Sequence, residues 1–349
     1  MIVCKFGGKA TTTQQSLTNI LKLKEQNDDR VIFVFSAIGK LNDKDIKLTD
    51  LLIEYDKRYK KGKNADLIYD KIIQKFNFLQ NLTKTKFNII NEIKKSFIKY
   101  KKIKDKNFLI SRGEYFTAKI MSHFLNIKFI PAEKCIFFNK NLLNYKKIQK
   151  KLKFYLKKYK KIVVPGFYCL TDNKKIKLFS RGGGDVTGAI IAKALNFSVY
   201  ENWTDVVGVK EINPNLYKNA KQIEQMSYSD MFLMSCYDAK VIHKDCSKLL
   251  KCSNTLLKLK SIYDIYASPT YISSKNVKNC SFVVYKKSKD DYLVLVKCNN
   301  CLPIIKKFKD KIFFQKKQIL KLILKPKCFK RDIIDLYEKL LIEKKSQMC

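Results

Sequence analysis

The sequence predicts an α/β protein with a mainly parallel sheet, followed by a smaller α+β region. Two observations predict the sheet. Mostly apolar runs of strand length recur at residues 2–6, 31–35 and 162–167, a further strand reads at 199–203, and each ends at or in a turn of glycine or small polar residues. Between them, apolar residues fall at helical spacing. Strand, glycine turn, helix, strand is the grammar of a parallel α/β unit. The α+β region rests on a change of that grammar after about Ser274.

The elements follow in order. Residues 2–6 form a strand that ends in Gly7-Gly8, and 11–24 read as a helix with Leu17, Ile20 and Leu21 on one side. Residues 31–35 are fully apolar and stop at Ser36-Ala37 and Gly39. From about 50 to 106 the chain is lysine-rich and helical in pattern, with its charges on solvated faces. Ser111-Arg112-Gly113-Glu114 opens a helix to about Leu125, and 147–161 is a basic amphipathic helix expected to pack on the sheet. Residues 162–167 are a buried strand entering a turn. Residues 180–188, Ser-Arg-Gly-Gly-Gly-Asp-Val-Thr-Gly, form a glycine loop before another helix. After the strand 199–203, Thr204-Asp205 and Gly208 make the next turn, and 226–236 and 240–250 read as helices. The tail offers strands at 281–285 and 292–296, a short helix, a strand near 320–324 and a helix over 331–344. The expected division is therefore 1–273 and 275–349.

The glycine loop is the most informative stretch. Three glycines let the backbone approach a ligand, the helix start behind them offers free N–H groups to an anion, and Arg181 adds a planar fork for a carboxylate or phosphate. Such a loop grips a small anion. In open parallel sheets ligands sit beyond the carboxyl ends of strands, where Gly7, Gly8 and Ser36 also fall.

Composition bounds the remaining classes. The chain has 349 residues, 46% hydrophobic and 30% charged, enough for a full core. No apolar run approaches membrane-spanning length and no export signal is visible, which points to a cytoplasmic protein with no membrane partner. Eleven irregularly spaced cysteines predict reduced thiols. Cys298 and Cys301 form a Cys-x-x-Cys pair that, with Cys280 and Cys328 further out, could in principle hold zinc, but the flanking intervals are loose and no second close pair exists, so no protein metal-ligand set is expected. The formal charge of +41 comes from 72 basic residues of which five are arginines. This pattern suits an AT-rich coding bias better than a selected nucleic-acid face, so no specific nucleic-acid partner is expected.

Read together, the blocks Lys5-Phe6-Gly7-Gly8, Ser36-Ala37 with Gly39, Thr49-Asp50-Leu51-Leu52, Ser111-Arg112-Gly113-Glu114, Pro165-Gly166-Phe167, Phe179-Ser180-Arg181-Gly182-Gly183, Asp185, Trp203-Thr204-Asp205-Val206 and Ala239-Lys240-Val241-Ile242-His243 resemble, in order, the aspartate kinases of the amino-acid-kinase superfamily. The resemblance covers roughly 1–273. It implies a three-layer α/β catalytic domain (the amino-acid-kinase fold), a reduced ACT-like C-terminal domain, and transfer of the γ-phosphate of ATP, with Mg²⁺, to the side-chain carboxylate of L-aspartate. In that reading Lys5 bears on the transferring phosphate, with Gly7 and Gly8 beside it, and Asp185 orients Lys5 and substrate. Arg181 meets the α-carboxylate and Glu114 the α-ammonium of aspartate. Ser36 and Thr49 supply hydroxyl contacts, and Thr204, Asp205 and Lys240 hold the nucleotide. His243 and His123 read as packed residues.

Several positions depart from the family pattern. Lys9-Ala10 replaces a pair of small hydroxyl residues, Gly184 a serine, Asn215 an arginine and Asp238 a glycine. Gly184 is expected to weaken aspartate binding rather than abolish chemistry. The tail has room for one small domain instead of two ACT units, which puts feedback inhibition through paired domains in question and leaves a homodimer open. The alternatives are a kinase of glutamate or its acetylated form, and a non-catalytic relic that binds nucleotide or amino acid and regulates a partner.

Overall fold

Alternation along the first strand, β1 (Ile2–Phe6), sets the architecture. Ile2, Cys4 and Phe6 belong to one buried apolar cluster, while Val3 and Lys5 point to the opposite face. The computed structural model describes residues 1–346 except 141, 181, 238, 240, 278, 279 and 317, without the side chains of 345 and 346. In chain order the next elements are α1 (Gln14–Gln26), β2 (Arg30–Phe35), α2 (Leu48–Lys60), α3 (Asp66–Thr83), α4 (Ile89–Ile103), α5 (Lys106–Leu125) and β3 (Lys128–Phe129). Then come β4 (Phe137–Asn139), β5 (Leu142–Leu143), α6 (Tyr145–Tyr159), β6 (Ile162–Pro165), β7 (Tyr168–Thr171), β8 (Ile176–Leu178), α7 (Gly183–Leu195) and β9 (Val199–Thr204). By packing, the chain divides into two compact units, Met1–Val207 with Ser253–Ala267, and Gly208–Cys252 with Ser268–Cys349.

The second unit opens with β10 (Val209–Lys210), β11 (Gln222–Ile223), β12 (Gln225–Ser227), α8 (Tyr228–Cys236) and α9 (Lys244–Leu250). The chain then supplies β13 (Leu256–Ser261) to the first unit before returning as β14 (Thr270–Ser273). It ends in β15 (Phe282–Lys287), β16 (Tyr292–Lys297), α10 (Leu302–Phe308), β17 (Ile312–Lys316), β18 (Ile319–Leu324) and α11 (Phe329–Ser346).

In the first unit β13, β9, β1, β2, β6 and β3 lie side by side, all parallel. One face carries Phe6, Phe33, Phe35 and Trp203, packed in one cluster with residues of α1 to α5. The other face carries Lys5 and Asn202 toward α7. This is the expected three-layer α/β sandwich. A small mixed sheet, β5-β4-β7-β8, accompanies it. In the second unit β15-β16-β18-β17 form an antiparallel sheet around which α10 and α11 share one apolar cluster, as an ACT-like remnant would.

Local chemistry shifts several expected boundaries. Thr13 accepts the Ser16 N–H, so α1 starts three residues later than its apolar pattern. Asp105 accepts from the N–H groups of Asn107 and Phe108 and starts α5, placing Ser111 and Glu114 inside the helix instead of at its opening. Residues 225–227 pair with β14 before α8 begins. The helix expected from 240 starts at Lys244, because His243 Nδ1 accepts the Asp245 N–H as its cap. His123 lies in α5, stacked 3.9 Å from Phe87. The expectation of reduced thiols is corrected at one pair: Cys298, just past β16, and Cys301, the N-cap of α10, form a disulfide. Cys280 and Cys328 are free.

Candidate functional site

Strand ends converge where the order of the sheet reverses around β1. Gly7 and Gly8 follow β1, Ser36 follows β2 and Thr204 closes β9. They line a cavity of about 420 Å³ together with Thr49, Glu114, Asp205 and the first residues of α7. That volume is within the roughly 300–1,000 Å³ usual for small-ligand sites.

Glycines make the convergence possible. A Cβ on Gly8 would stand 2.6 Å from the Ala37 carbonyl oxygen, and one on Gly39 2.8 Å from the Gly8 carbonyl carbon. The two turns therefore touch backbone to backbone, and the Gly39 N–H donates to Gly8 O at 2.9 Å. Gly182 caps α7 at φ +85°, a left-handed conformation open to glycine. The first-turn N–H groups of α7 consequently face the cavity with the positive end of the helix dipole.

Beneath the glycines lies a charged triad. Lys5 Nζ is 2.7 Å from Asp185 Oδ1, both side chains being nearly buried. Asn202 on β9 is the register neighbour of Lys5. Its Nδ2 donates to the same Asp185 oxygen at 3.0 Å, and its Oδ1 accepts from Lys5 Nζ at 3.5 Å. Gly7 would carry a Cβ 3.8 Å from Lys5 Nζ, so the ammonium sits against the cavity wall. Gly184 has no room for a side chain: its Cβ would meet Ser36 Oγ at 2.5 Å and Lys5 Cε at 3.3 Å.

Glu114 also lines the cavity. It is 5% exposed and its Oε2 has no hydrogen-bond partner among the described residues. Burial raises its pKa from 4.5 to about 8, against the smaller opposing effects of the Glu114 and Ala37 backbone N–H groups. Asp205 behaves oppositely. Burial pushes it up, but the Lys9 ammonium at 2.8 Å, the Asp205 backbone N–H and the Thr204 hydroxyl together outweigh this and hold it below the usual carboxylate value. Phe167, which lines the cavity, holds φ +76°.

Of the residues singled out from sequence, the structure brings together Gly7, Gly8, Ser36, Thr49, Glu114, Thr204 and Asp205 around one cavity, with Lys5 and Asp185 against its wall. Arg181 and Lys240, and the departure at Asp238, lie outside the described residues. Sequence reading missed Asn202 and Lys9. The signal for Asn202 was a polar residue at the inward phase of an otherwise buried strand. For Lys9 it was a cation directly after paired glycines.

The sequence model of the Amino acid kinase family matches residues 1–259. The chain belongs to that family. Among its amino acid kinase relatives, Aspartokinase 3 of Bacillus subtilis is 26% identical over 260 residues, covering 70% of this chain and 57% of that protein. A bifunctional aspartokinase/homoserine dehydrogenase of Buchnera aphidicola is 26% identical over 270 residues, 70% of this chain and 33% of that protein. The chain thus spans about half or less of the length of these relatives. Among solved structures, Clostridium acetobutylicum aspartate kinase superposes with a TM-score of 0.77 at 27% identity, covering 97% of this chain and 82% of that one. Escherichia coli aspartokinase III shares the fold, with a TM-score of 0.68 at 16% identity over 93% of this chain and 78% of that one.

Proposed function

We propose that this amino acid kinase is an ATP-dependent aspartate kinase: it transfers the γ-phosphate of ATP to the β-carboxylate of L-aspartate, giving 4-phospho-L-aspartate and ADP. One observation carries the choice of substrate. A buried carboxylate, Glu114, whose Oε2 has no hydrogen-bond partner among the described residues, lines the same cavity whose wall holds Lys5 and Asp185. A free α-ammonium is the natural partner for that carboxylate, and an acetylated amino acid lacks one. The aspartokinase names of the relatives support the same reading.

The acceptor carboxylate is ionised at neutral pH and needs no general base. One of its oxygens forms the new bond to the γ-phosphorus as the bond to the β,γ-bridging oxygen breaks, and ADP leaves. The barrier is the approach of one anion to another, so the residues act by position and charge. Lys5 stabilises the transferring group, Asp185 orients Lys5, and the N–H groups of Gly8 and the first turn of α7 meet phosphate oxygens, while the Gly7 N–H holds the turn on the Trp203 carbonyl. Ser36 and Thr49 contact aspartate, and Arg181 binds its α-carboxylate. Thr204, Asp205 and Lys240 serve the nucleotide. Mg²⁺ would arrive on the triphosphate with its own waters, needing no dedicated set of protein ligands and at most a carboxylate or two beside the phosphates. Asp205, kept ionised by Lys9, is the fitting one, and the ion would neutralise phosphate charge.

In this reading residues 1–273 are the catalytic domain and 275–349 the reduced ACT-like domain. The partners are small molecules, and the reaction is the first step toward lysine, threonine and methionine in the cytoplasm. The test is hydroxylamine trapping of the acyl phosphate with ATP, Mg²⁺ and a panel of aspartate, glutamate and acetylglutamate. Aspartyl hydroxamate is the expected product, and Lys5→Ala should reduce its formation by orders of magnitude. Turnover of acetylglutamate alone would overturn the substrate. ATP and aspartate binding without turnover would favour a regulatory relic.

A further inference from the structure

We infer that Asn202 is a positioning residue for phosphoryl transfer, its amide bridging the Lys5 ammonium and the Asp185 carboxylate. The inference deepens the proposed kinase reading and rests on it. Asn202 is 1% exposed on β9, on the face that carries Lys5. An amide in that place is unusual for a strand interior, because a buried polar group without partners is costly. This one has a partner at each end: Nδ2–H donates to Asp185 Oδ1 and Oδ1 accepts from Lys5 Nζ.

The geometry assigns a task to each end. An ammonium has three N–H donors. Asp185 takes one at 2.7 Å and the Asn202 oxygen takes a second. The third is left for a ligand, and the ammonium lies 3.8 Å from where a Cβ on Gly7, a residue of the cavity wall, would stand. The Asn202 N–H meanwhile draws on the same Asp185 oxygen that holds the ammonium. Sharing that oxygen loosens the ion pair, so the charge of Lys5 stays available to an arriving phosphate. Neither an apolar side chain nor an ionised carboxylate can donate to Asp185 and accept from Lys5 at once.

A protonated carboxylic acid can. Its O–H replaces the amide N–H and its carbonyl oxygen replaces the amide oxygen. Asn202→Asp should therefore reproduce the wild-type arrangement at low pH and lose it when the new carboxylate ionises beside Asp185. A merely space-filling role predicts no such pH dependence.

The experiment measures steady-state kinetics by hydroxamate trapping for the full chain, Asn202→Leu and Asn202→Asp from pH 5 to 9, with ADP titration calorimetry and thermal melts. For Asn202→Leu, kcat should fall about tenfold to a hundredfold, with KM for aspartate and the ADP dissociation constant each within threefold of wild type. For Asn202→Asp, kcat relative to wild type should climb as pH falls. If Asn202→Leu misfolds, the Asn202→Asp profile decides alone. Wild-type kcat in Asn202→Leu, or a pH profile of Asn202→Asp that parallels the wild type, would overturn the inference and leave the kinase reading standing. Absence of acyl phosphate from the unaltered protein would end both.

Discussion

Glu114 illustrates how one side chain ties stability to ligand. Its carboxyl is held to a pKa of about 8 by burial, against 4.5 in the unfolded chain. Between those values the folded chain binds a proton that the unfolded chain has released. The contribution of this residue to stability is therefore complete below pH 4.5 and is lost as pH rises through about 8. The melting temperature of the ligand-free protein should decline from pH 5 to 8.5 more steeply than that of Glu114→Gln. Saturating L-aspartate, whose ammonium favours the ionised carboxylate, should flatten the wild-type slope. Identical slopes in both proteins would show that Glu114 does not titrate in this window. In the proposed reading Lys5 serves the transferring phosphate and Glu114 the α-ammonium of aspartate.

At the scale of elements, the site depends on how closely turns can approach a helix start. A Cβ on Gly183 would lie 2.7 Å from Phe167 Cδ2, 2.9 Å from Phe179 Cβ and 3.1 Å from Phe167 Cα. Two of those atoms belong to or adjoin the backbone, so a rotamer change cannot clear them. Gly183→Ala should cost about 1–3 kcal/mol in urea denaturation and shift the first turn of α7 away from the cavity. Adding Phe167→Ala should recover only the part due to the ring, a measurable non-additivity. Stability equal to wild type would mean that the turn yields freely. The same elements show what was legible beforehand. Strands 2–6 and 31–35 could be read from apolar runs cut off by glycine, and the glycine loop named the α7 end of the site. What stayed hidden depended on contacts between distant segments. Asp105, and not Ser111, starts α5 because its side chain happens to reach two N–H groups, and nothing in residues 225–227 announces pairing with β14. The polarity of Asn202 was visible in the sequence, but its place beside Lys5 follows from the register of β1 and β9.

For the whole molecule, the dominant quantity is charge. With 72 basic against 31 acidic residues, the formal net charge is +41. Two acidic groups at the cavity already have a cation: Asp185 has Lys5 and Asp205 has Lys9. The surplus lysines are left to repel one another, which disfavours the compact state. Screening reaches only exposed, distant pairs: the Debye length falls from about 10 Å at 0.1 M salt to about 3 Å at 1 M. The repulsion among surface lysines should thus fade with salt while the buried Lys5–Asp185 pair persists. Sodium chloride from 0.05 to 0.5 M is expected to raise the melting temperature progressively, and weak binding to duplex DNA should disappear over the same range because it rests on counterion release. Chloride is the right anion for this measurement, since sulfate would also strengthen apolar burial and confound the reading. A melting temperature that falls with sodium chloride would mean that attractive surface pairs outweigh the repulsion. DNA affinity that persists at 0.5 M would require a specific nucleic-acid contact, contrary to the small-molecule chemistry assigned to the cavity.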